Sequence, residues 1–400
     1  MKLSVVLEHR FFRLPDGTVW TKAPIANEYW QQYLDEFDVV TIVARVKDIP
    51  SIEDGYMRVD GSRVRMSSLP FYLGPLQFFR KFLQIRRSLI SKIDGADAVI
   101  LHAPGILSVC AASFLMRSRK PYGMRVVGDP HDVFSPGAMK HPLRRVLRWY
   151  FSRKLRKHCA FSCGCSYVTE RKLQQRYPAR EHGFTTNYSS IQLGKEGISS
   201  YSRPVRQGAC RFVIVTVGSL MQPYKGVDVL INAVKICVIN DLDVSLVVIG
   251  DGNVRASLES LAVALNLGSR IKFLGQLRAG SAIRDQLDKA DLFVLASRAE
   301  GLPRSMIEAM ARAVPCIGTN VGGIPELISS ENRVSPGNSD ALAEKIQQVL
   351  GDPERMRKMS EENLKTASCY EASVLRGRKT LFYQHVRKCT RNWLRDSGEG

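Results

Sequence analysis

Two glutamates stand eight positions apart in the stretch SRAEGLPRSMIEAMARAVPCIGTNVGGIPELI, which covers residues 297–328. Glu300 follows an apolar run, and Glu308 lies in the next predicted helix. The pattern Ser305-x-x-Glu308 fits a capping box, in which the glutamate only closes the start of a helix at Ser305. Pro303 as the first helical residue would instead start the helix about two positions earlier. Glu308 would then need another partner, and ribose hydroxyls suit a carboxylate as hydrogen-bond acceptor.

A second candidate is VGSLMQPYKG (217–226), which follows an apolar β-branched run. Gly218 lets the backbone approach a ligand closely, and a helix that begins after Gly226 points its amides at an anion. Lys225 adds a positive charge, so the stretch could hold a diphosphate. It lacks P-loop spacing, and an ordinary loop with a solvated lysine is the alternative. Gly250 in IGDGN and the EGLP stretch are two further strand exits of this kind.

The elements that must position these residues alternate regularly. From about residue 210 onwards, helical stretches separate five apolar strand-like runs, at 211–217, 244–250, 271–275, 291–296 and 314–319. This alternation predicts a parallel sheet covered on both faces. In such doubly wound α/β domains, ligands bind beyond the carboxyl ends of the strands. The first half shows the same alternation, with strands predicted at 3–7, 39–43, 98–101 and 123–127 and helices at 24–36, 75–93, 105–118 and 141–157.

The predicted domains follow from these patterns. A polar stretch without periodicity at 195–208 separates residues 1–200 from residues 201–370. Residues 371–400 are predicted to form a helix that packs back on the first domain. A length of 400 residues agrees with two domains.

Charge and composition narrow the class of protein. The formal net charge is +20, and residues 1–200 contribute 31 Lys/Arg against 17 Asp/Glu, which is +14. Nucleic acid, anionic lipid or a phosphorylated substrate could each match this charge. The nine cysteines lack disulfide spacing, and no apolar stretch is long enough to span a bilayer. These features predict a cytoplasmic protein, with peripheral binding to the inner face of the cytoplasmic membrane left open.

Residues 217–328 resemble the donor-binding domain of glycosyltransferase family 4, a retaining group with the GT-B fold. The matching pieces are VGSL…YKG, VVIGDGN, IKFLGQL, ADLFVLASRAEGLPRSMIEAMA and GTNVGGIPELI, in that order. The stretch VVGDPHDVFSPG (126–137) resembles the acceptor-domain loop of bacterial exopolysaccharide-type members. The resemblance implies two Rossmann-like domains that face a central cleft. It also implies transfer of a sugar from a UDP- or GDP-linked donor to a saccharide or lipid-linked acceptor.

The resemblance also assigns roles to residues. Glu300, Lys225 and His131 would be catalytic: Glu300 binds sugar hydroxyls, Lys225 contacts the diphosphate, and His131 lies on the face of the sugar. Glu308 would hold the ribose. The other implied donor-binding residues are Gly218 and Gly250 at strand exits, Gly301 and Leu302 with backbone near the phosphates, and Phe273 and Leu274, whose peptide would read the base.

One departure from the family concerns the diphosphate. Members often carry arginine after the glycine at position 218, whereas this chain has Ser219. Either one cation is missing from the donor site, or Arg298 or Arg304 takes its place.

The chemistry that the resemblance implies needs no metal and no cofactor other than the donor. A lysine together with helix amides can stabilise a leaving diphosphate. The D-x-D stretch at 241–243 precedes a strand and is predicted to be a turn rather than a metal site. Retention by same-face attack, in which the leaving phosphate takes the acceptor's proton, requires no protein nucleophile.

Two alternatives remain open at this point. A UDP-sugar 2-epimerase shares the fold and the nucleotide site, but the E-x7-E pattern with EGLP favours transfer. A nucleic-acid-binding protein would explain the charge, yet no recognition motif appears, so no nucleic acid is expected as a partner.

Two basic stretches in the first half instead indicate contact with anionic lipid, namely 78–90 and 141–157. In the second, a helix would place Leu143, Val146, Leu147 and Tyr150 on one stripe, opposite Arg144, Arg145, Arg148 and Arg156. This stripe could be core with merely solvated arginines, or the helix could bind a membrane.

Overall fold

A computed structural model describes residues 1–23, 25–136, 141–191, 193–203 and 211–398. Internal contacts divide the chain into two units. Unit 1 comprises Met1–Gly128, Tyr150–Tyr188 and Arg376–Gly400, and unit 2 comprises Asp129–Trp149 and Ser189–Leu375. The segment Asp129–Trp149 therefore groups with the second half of the chain, and most of the C-terminal helix groups with the first.

Unit 1 is built on a mainly parallel sheet. Its strands are β1 Lys2–Arg13, β2 Val19–Thr21, β3 Val39–Asp48, β4 Met57–Arg58, β5 Val64–Leu69, β6 Ala98–Ala103, β7 Gly123–Val126, β8 Gly164–Tyr167 and β9 Phe184–Asn187. The parallel order is β5-β3-β1-β6-β7-β8-β9. At the end of β1, β2 pairs antiparallel with Phe12 and Arg13, and β4 pairs antiparallel with β2. Strands such as β6 are buried along their whole length, as expected for a sheet covered on both faces.

The helices of the first half connect these strands. They are α1 Asn27–Gln31, α2 Gly74–Arg80, α3 Phe82–Asp94, α4 Ile106–Arg117, α5 Pro130–Val133, α6 Arg144–Phe161 and α7 Lys172–Arg176. The four predicted strands and the helix at 105–118 are confirmed. Three other predicted helices differ from the structure, and β2, β4, β5, β8 and β9 were not predicted.

The helix predicted at 24–36 is wrong in length, because after Gln31 the backbone turns through bonds such as that from Leu34 N to Gln31 O. The helix predicted at 75–93 is two helices, since Lys81 leaves helical geometry at φ −103° and ψ 7°.

Helix α6 differs from its prediction in what it buries. Leu143, Val146 and Tyr150 are exposed, so the alternative in which this stripe is core is wrong for these residues. The helix buries Leu155, His158 and Cys159 in its C-terminal half instead. Because the core contact is made there, the N-terminal half has no core against its apolar stripe.

Unit 2 contains a six-stranded parallel sheet with the order β12-β11-β10-β13-β14-β15. Its strands are β10 Phe212–Val217, β11 Val244–Ile249, β12 Ile271–Gly275, β13 Leu292–Leu295, β14 Cys316–Thr319 and β15 Arg333–Val334. All adjacent pairs run parallel. This is the order of a doubly wound sheet whose direction of winding reverses between β10 and β13, where ligands bind in this architecture.

The helices of the second half lie between and after these strands. They are α8 Val227–Ile239, α9 Arg255–Ala264, α10 Ser281–Asp288, α11 Arg304–Ala311, α12 Ile324–Leu327, α13 Ser339–Leu350, α14 Pro353–Ser368 and α15 Ala372–Ser397. The predicted doubly wound α/β class is confirmed, as are five predicted strands and the turn at 241–243. Among the described residues, no helix is long and apolar enough to cross a bilayer.

Candidate functional site

The site residues of unit 2 lie where four strands end. The loop after β10 carries Gly218 to Gly226, and the loop after β13 carries Ser297 to Pro303. Leu220 N donates to Asp251 O at 2.9 Å in the loop after β11, and Arg298 N donates to Tyr224 O at 2.7 Å. These backbone bonds bring the strand exits together at the point where the sheet order reverses.

Two glycines permit this close approach. Gly226 has φ +66°, and a Cβ there would lie 2.0 Å from the carbonyl oxygen of Ala296. Gly250 has φ +140°, and a Cβ there would lie 1.9 Å from the carbonyl oxygen of Gly218. Any other side chain at either position would push the loops apart, which is why the strand exits need glycine.

Lys225 and Glu300 form an ion pair at the centre of these loops. Lys225 Nζ lies 2.6 Å from Glu300 Oε1, and Ser297 Oγ donates to the same oxygen at 2.6 Å. The side chains are only 14% and 7% exposed, respectively. Gly218 leaves room for the lysine stem, since a Cβ at this glycine would lie 3.0 Å from Lys225 Cε. The pair joins the two residues that the sequence assigned to the diphosphate and the sugar.

Glu308 lies inside helix α11 and not at a cap. The helix begins at Arg304 with Pro303 as its N-cap, and no side chain caps it. The capping-box interpretation with Ser305 is therefore wrong, and the start is one residue later than Pro303 as first helical residue would give. Within the described part of the chain, the Glu308 carboxylate accepts no hydrogen bond. Burial raises the pKa of this carboxyl, and nearby Arg304 opposes the rise.

The glycine-rich turn after β14 supports the EGLP loop. Gly322 has φ +52°, and a Cβ there would lie 2.2 Å from the carbonyl oxygen of Glu300. Gly323 N donates to Gly301 O at 2.5 Å. The side chain of Leu302 is buried, so only its backbone can face a ligand. The GTNVGG stretch thus fixes the backbone on which Glu300 stands.

His131 lies in the same unit, next to this turn. Asp129 caps helix α5 by accepting a hydrogen bond from His131 N at 2.9 Å. The neighbouring Asp132 accepts from Gly322 N at 3.2 Å, which connects the α5 segment with the Glu300 loop. Arg148 Nη2 lies 2.9 Å from His131 Nδ1. The structure therefore brings His131 to the loop cluster through Asp132.

Arg298, which was predicted to bind the donor, is engaged elsewhere. Its guanidinium makes a bidentate ion pair with Asp228, at 2.8 and 2.6 Å, and also donates to Pro223 O. This geometry fastens the Lys225 loop to helix α8. Arg304 is exposed at the start of α11, and Ser219 is exposed after β10. Of the two arginines considered for this place, Arg298 is therefore paired with Asp228, whereas Arg304 is exposed.

Phe273 and Leu274 lie on β12, the edge strand. The register shifts here, because Phe273 pairs with Val248 while Gly275 pairs with Ile249. Leu274 consequently has no partner position in β11. Arg255 Nη2 lies 3.4 Å from Phe273 O. This edge is two strands from β10, so these residues are not part of the Lys225–Glu300 cluster.

Three residues near the site were missed by sequence reasoning. Ser297 and Asp132 adjoin motifs that were recognised, and their polar character could have marked them. Arg148 gave no signal, because it was grouped with the arginines of a solvated helix face. In the described residues, no group of three or more His, Cys, Asp or Glu side chains could hold a metal ion.

Comparison with known proteins shows that most of the second half is similar to a known family. Residues 206–366 match the family model described as glycosyl transferases group 1. Protein CapJ of Staphylococcus aureus is 25% identical over 346 residues, which cover 86% of each chain.

Solved structures support the fold over the whole chain. A sucrose-phosphate synthase from Thermosynechococcus elongatus has a TM-score of 0.70 at 17% identity, covering 96% of this chain and 99% of its own. HepE from Anabaena, solved with UDP-glucose, has a TM-score of 0.61 at 18% identity, covering 98% of this chain and all of its own. The protein has the GT-B fold of these transferases, and its residues 206–366 match the family model of the glycosyl transferases group 1.

Proposed function

We propose that this protein transfers a sugar from a nucleotide diphosphate sugar to an acceptor hydroxyl, with retention of configuration and without a metal ion. The observation that carries the proposal is the Lys225–Glu300 pair at the point where the sheet order reverses. A lysine and a carboxylate held together match the two halves of such a donor, the anionic diphosphate and the hydroxylated sugar.

The division of roles follows from charge. A donor diphosphate would draw Lys225 Nζ away from Glu300, and the freed carboxylate oxygen could accept hydrogen bonds from sugar hydroxyls. Glu308, a partly buried carboxylate that accepts no hydrogen bond from the described residues, is suited to the two ribose hydroxyls. The first amides of α11 would face the phosphates beside Gly301 and Leu302.

Bond cleavage at the anomeric carbon leaves the electron pair on the diphosphate oxygen. Lys225 and the helix amides would stabilise that charge in the transition state. The acceptor oxygen bonds to the same face of the sugar and gives its proton to the leaving phosphate. His131, held by Asp129 and Arg148, would lie on the face of the sugar and position it.

The donor base is proposed to be uracil or guanine, and the acceptor a saccharide, in particular a lipid-linked one used in exopolysaccharide assembly. The UDP-glucose bound to HepE supports a uridine donor. A membrane-borne acceptor agrees with the charge of the first half, where residues 133–169 contain eight Lys/Arg and no Asp/Glu. The enzyme would then work at the inner face of the cytoplasmic membrane.

The proposal is tested by screening UDP- and GDP-sugars for thermal stabilisation, since a ligand of the native state raises the melting temperature. The stabilising donor is then incubated with and without a saccharide acceptor, in the presence and absence of EDTA. Acceptor-dependent, EDTA-resistant release of the nucleotide is expected. Conversion of the sugar without any acceptor would favour the 2-epimerase, and loss of activity in EDTA would contradict metal independence.

A further inference from the structure

Helices α2 and α3 of unit 1 carry an apolar surface that faces solvent. Leu76, Phe79 and Leu83 are 66%, 70% and 65% exposed. Leu73 and Phe82 beside them are also exposed. Leu76 and Phe79, three residues apart, share one face of α2. Leu83 follows in the first turn of α3, after the break at Lys81. We call this set, Leu73, Leu76, Phe79, Phe82 and Leu83, the α2–α3 face.

The opposite side of the same helices is anchored in the core. Phe78, Ile85 and Leu89 are buried. Tyr72 packs on Phe78 with ring centroids 5.2 Å apart. Because Phe78, Ile85 and Leu89 already attach α2 and α3 to the core, the exposed apolar residues are not needed for that contact. The α2–α3 face is an additional apolar surface on a fixed support.

The charged residues in this part of the sequence are all of one sign. From Gly61 to Ile93 the chain has seven Lys/Arg and no Asp/Glu. Arg80, Arg86 and Arg87 are exposed on or beside the apolar stripe. Lys81 is held at the break between the helices by a bond from its Nζ to Phe71 O, 2.9 Å long. Exposed large apolar side chains with lysines and arginines beside them are typical of a surface that enters the interfacial layer of an anionic membrane.

We propose that the α2–α3 face binds the surface of an anionic lipid bilayer, with Phe79, Leu76 and Leu83 inserted between the headgroups and the arginines on the phosphates. This surface overlaps the stretch at 78–90, one of the two basic stretches that the sequence analysis assigned to anionic lipid. A second copy of this chain is a poorer occupant, because apposing two such faces would bring like charges together. The inference rests on the proposed membrane-borne acceptor for its purpose, but lipid binding is measurable without any transfer reaction.

The test is co-sedimentation of the whole protein with vesicles of phosphatidylglycerol and phosphatidylcholine, compared with phosphatidylcholine alone. Binding should require the anionic lipid and fall severalfold at high salt, where screening shortens the reach of the arginines. Phe79→Ser combined with Leu83→Ser should lower the partition coefficient about tenfold or more. Arg86→Glu combined with Arg87→Glu should lower it as well.

The matched control is Ile239→Ser combined with Val263→Ser in unit 2, since these residues are 63% and 68% exposed. This control should bind vesicles like the wild type. Failure of the wild type to bind anionic vesicles, or equal binding by the Phe79/Leu83 variant, would overturn the proposal. A dimer in light scattering that the Phe79/Leu83 variant dissociates would also overturn it, in favour of a copy interface.

Transfer to an acceptor in detergent micelles separates this inference from the proposed function. The Phe79/Leu83 variant should retain that activity while losing vesicle binding. Absence of transfer in both the wild type and the variant would count against the proposed function and leave the vesicle result standing by itself.

Discussion

Lys225 and Glu300 are 75 positions apart in the chain, yet the ammonium nitrogen of one lies 2.6 Å from a carboxylate oxygen of the other. Each is the nearest opposite charge for its partner in a largely buried setting. Substituting one should therefore leave the other without its counter-ion in the free protein.

This pairing predicts a coupling in stability. Lys225→Met or Glu300→Gln alone should lower the free energy of unfolding by about 2 kcal/mol, because each leaves a largely buried group unpaired. The double variant should cost less than the sum of the two. Urea unfolding measures all three, and strictly additive losses would contradict an energetic role for the pair.

Substitutions of Lys225 and Glu300 should differ in their effects on nucleotide binding and on turnover. Lys225→Ala should weaken binding of both donor and bare nucleotide diphosphate, and lower kcat about 100-fold, since the charge on the diphosphate grows in the transition state. Glu300→Ala should lower kcat strongly while the bare nucleotide still binds. Calorimetry and initial rates test this, with exposed Lys289→Ala as control. Equal losses of nucleotide affinity in both variants would refute the division.

Glu308→Gln should weaken the binding of the bare nucleotide diphosphate about tenfold, which corresponds to about 1.4 kcal/mol. The reason is that an amide nitrogen replaces one of the two carboxylate oxygens that would accept hydrogen bonds from the ribose. Ser305→Ala is the control for the capping alternative, and it should leave both stability and affinity unchanged because Ser305 caps nothing. If Glu308→Gln binds the product like the wild type, the ribose assignment fails.

The pKa of Glu308 is raised from 4.5 by burial, which predicts a pH dependence. Nucleotide affinity should fall as the pH drops through the raised value, because the protonated carboxyl loses acceptor capacity. The effect on the free energy of unfolding has the opposite sign. The folded state binds this proton more tightly than the unfolded state, so the group favours folding at low pH. This contribution disappears as the pH rises through the pKa of Glu308 in the folded state. Calorimetry from acidic to neutral pH tests the affinity, and Glu308→Gln should abolish this component.

Arg298 should act through Asp228 rather than on the donor. Arg298→Ala and Asp228→Asn should lower the melting temperature by similar amounts, since both break one bidentate pair. Arg304→Gln should instead weaken binding of the nucleotide diphosphate several-fold with little change in melting temperature. Reduced affinity in Arg298→Ala with normal affinity in Asp228→Asn would restore Arg298 as a donor ligand.

Local pattern was sufficient for much of the fold. Continuous apolar runs such as 292–295, and glycines at their exits, predicted the strands and the edge at which a ligand binds. Hydrophobic periodicity and turn chemistry are properties of neighbouring residues, so they can be read without the fold. Strands β8 and β9 escaped because their sequences, GCSY and FTTN, are not continuous apolar runs.

Sequence by itself determined the order of the elements, the strand exits and the spacing of Glu300 and Glu308. Only the tertiary structure decided that Lys225 meets Glu300, that Arg298 is held by Asp228, and that Asp132 contacts a turn 190 positions away. Only it decided, too, that Phe79 faces solvent while Phe78 is buried. The reason is that a pattern specifies which side of an element is apolar or charged, whereas the partner that covers this side comes from a distant part of the chain.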